Sequence, residues 1–272
     1  MKRQSFFVSI VVFIMACLGC EHVVITPEVP PQNDKFGIDT TAIVASASIP
    51  TNGLVAWYRL NLGSGDDNTT SNNNGTSYNV TAAPNRSGSQ GLASRFNGYN
   101  SYIEIPDKDY LSISKTGKLS ISIWMKIETL NFTNTTNDYV HWFGKGTSGK
   151  HEYTFRMYNK VSARPNRISC YAFNLSGGLG AGSYFQDVLS VGQWIHVVAI
   201  YDYPNDQIRL YKNGVLQDTD TFSGYGIIPQ NGAAPLRIGT RDFANYFKGC
   251  LDDLRIYNRV LTQSEINALA GV

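Results

Sequence analysis

GQWIHVVAIYDYPNDQIRLYKNG, residues 192–214, decides the fold. Two runs rich in β-branched and aromatic residues flank the turn-forming cluster at 203–206 (Tyr-Pro-Asn-Asp), a pattern that predicts an antiparallel hairpin. In the first arm Trp194, His196, Val198 and Ile200 alternate with Ile195, Val197, Ala199 and Tyr201. Both sets are mostly apolar, so both faces need covering. That places the hairpin inside a layered β protein rather than on its surface. The second arm runs into Lys212, Asn213 and Gly214, where Asn-Gly supplies the positive φ of a tight turn towards Val215 and Leu216.

The same period of two recurs upstream. In LSISIWMKI (119–127), Leu119, Ile121, Ile123, Met125 and Ile127 are expected inward, and Ser120, Ser122, Trp124 and Lys126 outward. YTFRMY (153–158) puts Phe155 and Met157 in, Arg156 and Tyr158 out. RISCYAFN (167–174) puts Ile168, Cys170 and Ala172 in, Tyr171 and Phe173 out. If these strands are neighbours, Trp124, Arg156, Tyr158, Tyr171 and Phe173 share one sheet face. Aromatic rings stack on the C–H faces of sugars and a guanidinium donates to hydroxyls, so such a face is a candidate glycan platform. Under covering loops the same rings would form a second core layer. Loop aromatics are expected at Tyr139 and Trp142 in DYVHWFGKG (138–146), at Tyr184 and Phe185, at Tyr225 and at Tyr246. Of these Trp142 joins the ligand-binding candidates, while Trp57 and Trp194 are expected to be structural.

The chain opens with Lys2 and Arg3, an apolar run over residues 6–18, then Gly19 and Cys20. A run of about 13 apolar residues is a secretory signal rather than a membrane span. Its end resembles a bacterial lipobox, although Cys17 stands where Leu is usual, and so implies cleavage before Cys20 and lipidation of that thiol. Residues 20–52, with Pro27, Pro30, Pro31 and Pro50, are expected to be a flexible tether. Residues 53–272 are expected to form one globular domain. Loss of residues 1–19 removes two bases and no acid, so 23 bases against 21 acids (+2) become 21 against 21, or zero. A neutral chain without a basic block excludes nucleic acid as a natural partner. The expected location is a membrane-anchored lipoprotein reached by the general secretory route, at a bacterial outer membrane or cell surface.

The hairpin, with GLVAWYRL (53–60), RFNGYNSYIEIPD (95–107), LRIGTRD (236–242) and FKGCLDDLRIYNRVLTQSEINAL (247–269), resembles the laminin-G-like jelly rolls of the concanavalin A-like lectin/glucanase superfamily. The resemblance implies an all-β, two-sheet antiparallel jelly-roll sandwich with a short C-terminal helix. Thr262 and Glu265 mark the start of that helix as a capping box. The resemblance also implies pairing of the 95–107 segment with the last strand, and a structural calcium between a polar N-terminal loop, here residues 66–75, and Asp252. Asp67, Asn97 and Asp252 are the candidate ligands; Asx and Gly in such a loop equally serve turns. In laminin G domains a cysteine placed like Cys250 is bonded near the C-terminus, where this chain has none. Cys170 and Cys250 therefore pair with each other or lie as free buried thiols.

Glucanases of the superfamily carry a compact Glu-x-Asp-x-Glu motif. Here the glutamates, Glu21, Glu28, Glu104, Glu128, Glu152 and Glu265, are scattered. Glu104 reads as an outward carboxylate on an edge strand, Glu265 as a cap and His196 as a core histidine. The expected function is non-catalytic carbohydrate binding at the cell envelope, with partner proteins of a glycan-uptake system. Protein–protein adhesion is the alternative, and a glycoside hydrolase with an unfamiliar carboxylate pair the third.

Overall fold

The computed structural model describes residues 48–272 apart from 134, 136, 137 and 176. The signal segment, Cys20 and tether residues 20–47 lie outside the described residues. The strands, in chain order, are β1 (Leu54–Tyr58), β2 (Thr76–Tyr78), β3 (Thr81–Ala83), β4 (Ala93–Asn97), β5 (Tyr102–Ile105), β6 (Lys118–Ile127), β7 (Tyr139–Thr147), β8 (Lys150–Tyr158), β9 (Ile168–Ala172), β10 (Ala181–Phe185), β11 (Trp194–Asp202), β12 (Gln207–Lys212), β13 (Val215–Asp220), β14 (Leu236–Ile238) and β15 (Lys248–Tyr257). One helical turn, α1 (Ile113–Thr116), precedes β6, and α2 (Gln263–Ala270) closes the chain.

Two antiparallel sheets form the expected jelly-roll sandwich. The first runs β13-β12-β11-β6-β15-β4-β3, with β1 also on β15; the second runs β10-β9-β8-β7-β14-β5-β2. The decisive hairpin is β11–β12, with Asp202 opposite Gln207. Asn213 and Gly214 take φ of +49° and +83°, the double positive φ of a tight hairpin turn into β13.

Both faces of β11 are covered, as their composition demands. Val197, Ala199 and Tyr201 join Ile121, Ile123, Phe143, Phe155 and Met157 in the core between the sheets. On the other side Val198 and Ile200 pack with Tyr211, Tyr257, Leu261, Ile266 and Leu269 beneath α2. That helix starts at the predicted capping box, where Thr262 accepts from the Glu265 amide and Glu265 accepts from the Thr262 amide. Arg259 fixes the same carboxylate at 2.7 Å.

Three local expectations change. Residues 139–146 and 182–185 are strand rather than loop, so Tyr139 and Trp142 belong to β7, and Tyr184 and Phe185 to β10. Of the 95–107 segment only β4 meets the last strand; β5 crosses to the second sheet, between β14 and β2. Cys170 faces the core from β9 and Cys250 lies on β15 beside Ala83 and Ala93, on different sheets, both free and buried. Burial pushes the two thiols up to about 12 and about 11.

Ile121 is fully enclosed. Replacing it with Ala is expected to cost about 2–5 kcal/mol, measured as a lower denaturation midpoint with an unchanged m-value.

Candidate functional site

The outer face of the second sheet carries the densest group of functional side chains. Antiparallel register sets Arg156 of β8 between His141 of β7 and Ser169 of β9, with Thr154 opposite Tyr171. The Arg156 guanidinium lies 4.5 Å from the Tyr139 ring centre, 5.0 Å from Tyr171 and 5.7 Å from Phe173. Its Nε is buried without a hydrogen-bond partner, and among the described residues it forms no ion pair. A half-buried cation held by π-faces thus keeps a donor unused. Beside it opens a hollow of about 370 Å³ lined by Asp138, Tyr139, Arg156, Tyr158, Ser162, Ala163 and Arg164. Arg164 donates to the Tyr158 hydroxyl at 3.2 Å. Burial raises the Tyr158 phenol, but the Tyr171 hydroxyl, Arg156 and Arg164 outweigh it, so the net shift is downward. Tyr171 is pushed up to about 12, chiefly by burial and then by Tyr158.

The loop over residues 240–246 crosses this face. It is tied to β7 by the His141 amide donating to the Asn245 carbonyl at 2.9 Å. Arg241 reaches Asp242 at 2.6 Å, yet its Nε and Nη1 are buried without partners, as are Asp242 Oδ1 and His151 Nδ1. Burial, then the Arg241 charge, holds His141 well below its usual value and His151 at about 4. Both are therefore neutral at pH 7, and both are buried beneath the loop, His141 bonded to the Thr154 hydroxyl at 2.9 Å.

The sequence-derived set comes together only in part. Arg156, Tyr158, Tyr171 and Phe173 do share this face. It is half open and half closed: Tyr139, Arg156 and Tyr171 stay partly exposed, whereas Tyr158 and Phe173 are buried. Two placements are corrected. Trp142 is fully enclosed in the central core, 5.1 Å from Phe155, because it stands on strand β7 in phase with the core residue Val140, and a bulge between His141 and Phe143 brings Phe143 inward beside it. Trp124 lies on the other sheet, since β6 pairs with β11 and β15. There it meets Arg86 at 4.9 Å and His196 at 5.0 Å. Missing from that set were Arg164, His141 and Arg241. Only His141 had a signal, its place two residues after Tyr139.

The calcium candidates do not gather as ligands. Both Asp67 oxygens accept from local donors, the amides of Trp57, Thr69 and Asn73 and the Thr69 hydroxyl. Asn97 Oδ1 accepts from the Tyr99 and Asn100 amides. Asp252 holds Arg86 at 2.7 Å, and burial above all raises it to about 6. Carboxylates capped by N–H and O–H donors do not fit a hard cation that needs six to eight free oxygens. No group of three or more acidic, His or Cys side chains could hold a metal among the described residues. The described glutamates are each tied to a base: Glu104 to Arg237, Glu128 to Arg95, Glu152 to Lys145 and Glu265 to Arg259.

Comparison with known proteins places this geometry. The profile of the concanavalin A-like lectin/glucanases superfamily, Laminin_G_3, matches residues 96–267. The chain belongs to this superfamily. No curated protein sequence matches it. Among solved structures it is similar to domain 4 of AbnA, a GH43 extracellular arabinanase from Geobacillus stearothermophilus, in complex with arabinotriose. Identity is 24%, TM-score 0.57, and coverage 80% of this chain and 98% of that one. It is similar also to the receptor binding domain of botulinum neurotoxin C/D mosaic serotype, at 13% identity and TM-score 0.61, covering 81% and 51%. The botulinum neurotoxin DC binding domain in complex with SialylT matches at 13% and 0.60, covering 81% and 51%. The chain thus spans about half of each toxin domain. These likenesses establish the shared fold.

The neutral buried histidines set an acid limit. The unfolded chain protonates histidine near pH 6.5, whereas folded His151 does so near 4 and His196 near 3. Below pH 6.5 the unfolded state binds more protons, so stability falls as pH falls. Asp252, raised to about 6, opposes this by taking up its proton in the folded state. Three histidines against Asp252 and Glu152, which burial also raises, predict a lower melting temperature at pH 4.5 than at pH 6.5. His151→Gln should flatten the decline.

Proposed function

We propose that this domain is a non-catalytic carbohydrate-binding module whose ligand lies in the hollow beside Arg156. The observation that carries the reading is the Arg156 guanidinium, stacked among Tyr139, Tyr171 and Phe173 with no acidic partner among the described residues and a free Nε. Sugars offer what such a group recognises: C–H faces for rings, hydroxyls for directional donors. Domain 4 of the arabinanase is in complex with arabinotriose, and a toxin binding domain with SialylT, which supports glycan as the ligand class. Another toxin domain is in complex with rat synaptotagmin II, which makes protein adhesion the second reading. The hollow, about 370 Å³, suits a short oligosaccharide better than a protein, whose stable contact covers about 800 Å² on each partner.

The same proposal places the domain on a cell envelope. Export through the general secretory route, lipidation at Cys20 and a proline-containing tether would hold it off a membrane, where it passes glycan to uptake machinery. Among the described residues no helix is long and apolar enough to cross a membrane.

The test is a glycan array that includes arabinotriose, run on the wild type, Arg156→Ala and Tyr139→Ala. Binding is expected to weaken at least about tenfold in Arg156→Ala and about two- to tenfold in Tyr139→Ala, since a charge-assisted bond and a stacked ring contribute about 1.5–3 and 0.5–1.5 kcal/mol. A blank array from a protein that melts cooperatively would sink the glycan reading in favour of adhesion.

A further inference from the structure

Beyond the 240–246 loop the same sheet face carries a second group of rings. Tyr102 of β5 lies opposite Tyr78 of β2, and the rings stack at 4.5 Å and 16°. Phe243 meets Tyr102 edge-on at 5.1 Å and 80°, and Tyr246 stands 6.4 Å away. Together they make a corner of flat faces. Tyr78 is 40% exposed and Phe243 49%, and neither Tyr78, Tyr102 nor Phe243 belongs to a core cluster. Beside Phe243 lies a hollow of about 390 Å³ whose lining includes Tyr99, Asn245 and Tyr246.

Phe243 is held there against its own preference. Its φ is +62°, the left-handed region that a bulky side chain avoids. The loop is over-determined around it: Thr240 Oγ1 donates to the Ala244 carbonyl at 2.9 Å, and the Phe247 amide to Gly239 at 2.9 Å. Arg237 donates to the Arg241 carbonyl at 2.7 Å and stacks 4.1 Å from the Phe243 ring, with Glu104 at 2.8 Å on its Nε. An exposed ring that packs on no core, yet is fixed in a strained conformation, is displayed for contact with something outside.

We propose that this corner is a second subsite for the same glycan, and that the domain takes an extended polysaccharide across the 240–246 loop rather than a chain end. This rests on the reading of the Arg156 hollow as a glycan site. Between Tyr102 and Arg156 lie three strand steps, β5 to β14 to β7 to β8, or about 14 Å. A single sugar cannot touch both groups; a chain of several can. The rings are rimmed by the Tyr78, Tyr102 and Tyr246 hydroxyls and by the Arg237–Glu104 pair, so polar donors border each flat face. That pairing suits alternating C–H and hydroxyl surface, unlike the desolvated pocket of a protein hot spot.

The experiment is native gel electrophoresis of the whole protein through gels containing soluble arabinan, arabinoxylan, glucomannan or pectin. Wild type, Arg156→Ala, Tyr102→Ala and Phe243→Asn are compared. Asn tolerates a positive φ, so Phe243→Asn removes the ring while relieving the backbone, and its melting temperature should hold or rise. The expected result is retardation of the wild type by one polymer, weakened at least about fivefold in each variant. Retardation lost in Arg156→Ala but kept in Tyr102→Ala and Phe243→Asn would overturn the second subsite and leave the first standing. Loss only in the Tyr102 and Phe243 variants would overturn a chain crossing the loop. A wild type retarded by none would overturn both.

Discussion

Val198 and Ile200 point away from the core between the sheets, and this arrangement governs much else. A strand with two apolar faces must be covered twice, once by the opposing sheet and once by α2. The helix spends its buried side on that task, with Ile266 and Leu269 over the hairpin. The rest of that outer surface is occupied by Trp57, Trp124, Arg86, Arg255 and the Asp252–Asp253 pair. The outer face of the second sheet carries no such helix, and Tyr139, Arg156 and Tyr171 stay partly exposed there.

Charge within this molecule is organised by pairing. Lys145 is fully buried and held by Glu152 and Asp107, although burial still raises the Glu152 carboxyl. Such a pair cannot lose one partner cheaply, because the remaining charge would be stranded away from water. Against this background Arg156 and Arg241 differ in kind. Arg156 leans on rings instead of a carboxylate, and Arg241, although bound to Asp242, keeps two nitrogens unused. Their positions are set by packing, which leaves their hydrogen-bonding capacity available.

The fold was legible because period-two patterning survives in β6, in β11 and over residues 153–158 of β8: Phe155 and Met157 in, Arg156 and Tyr158 out, as spacing alone requires. The site was legible one strand at a time, since alternation fixes a face but not a neighbour. Trp124 alternates as cleanly as Arg156, yet its strand pairs into the other sheet, a matter of long-range register. Trp142 failed for a local reason: the segment read as loop is strand, and two residues beyond the core Val140 its ring faces inward. Contacts such as Arg86 with Asp252, 166 residues apart, leave no trace in local pattern. The positive φ of Phe243 was equally silent, because nothing in a phenylalanine announces a left-handed backbone.

The position of β15 carries a consequence for how the chain acquires its shape. β15 lies in the interior of the first sheet, bonded to β6 and β4 and, at its far end, to β1, where Leu54 faces Tyr257. β1 finds its strand partner only once β15 has been made. Closing a loop of that length before any contact rewards it makes folding slow. Nascent chains shorter than Tyr257 would present an unfilled slot in the sheet to whatever strand comes near. The interval between making β14 and completing β15 is therefore when this protein is most open to mispairing with its own copies.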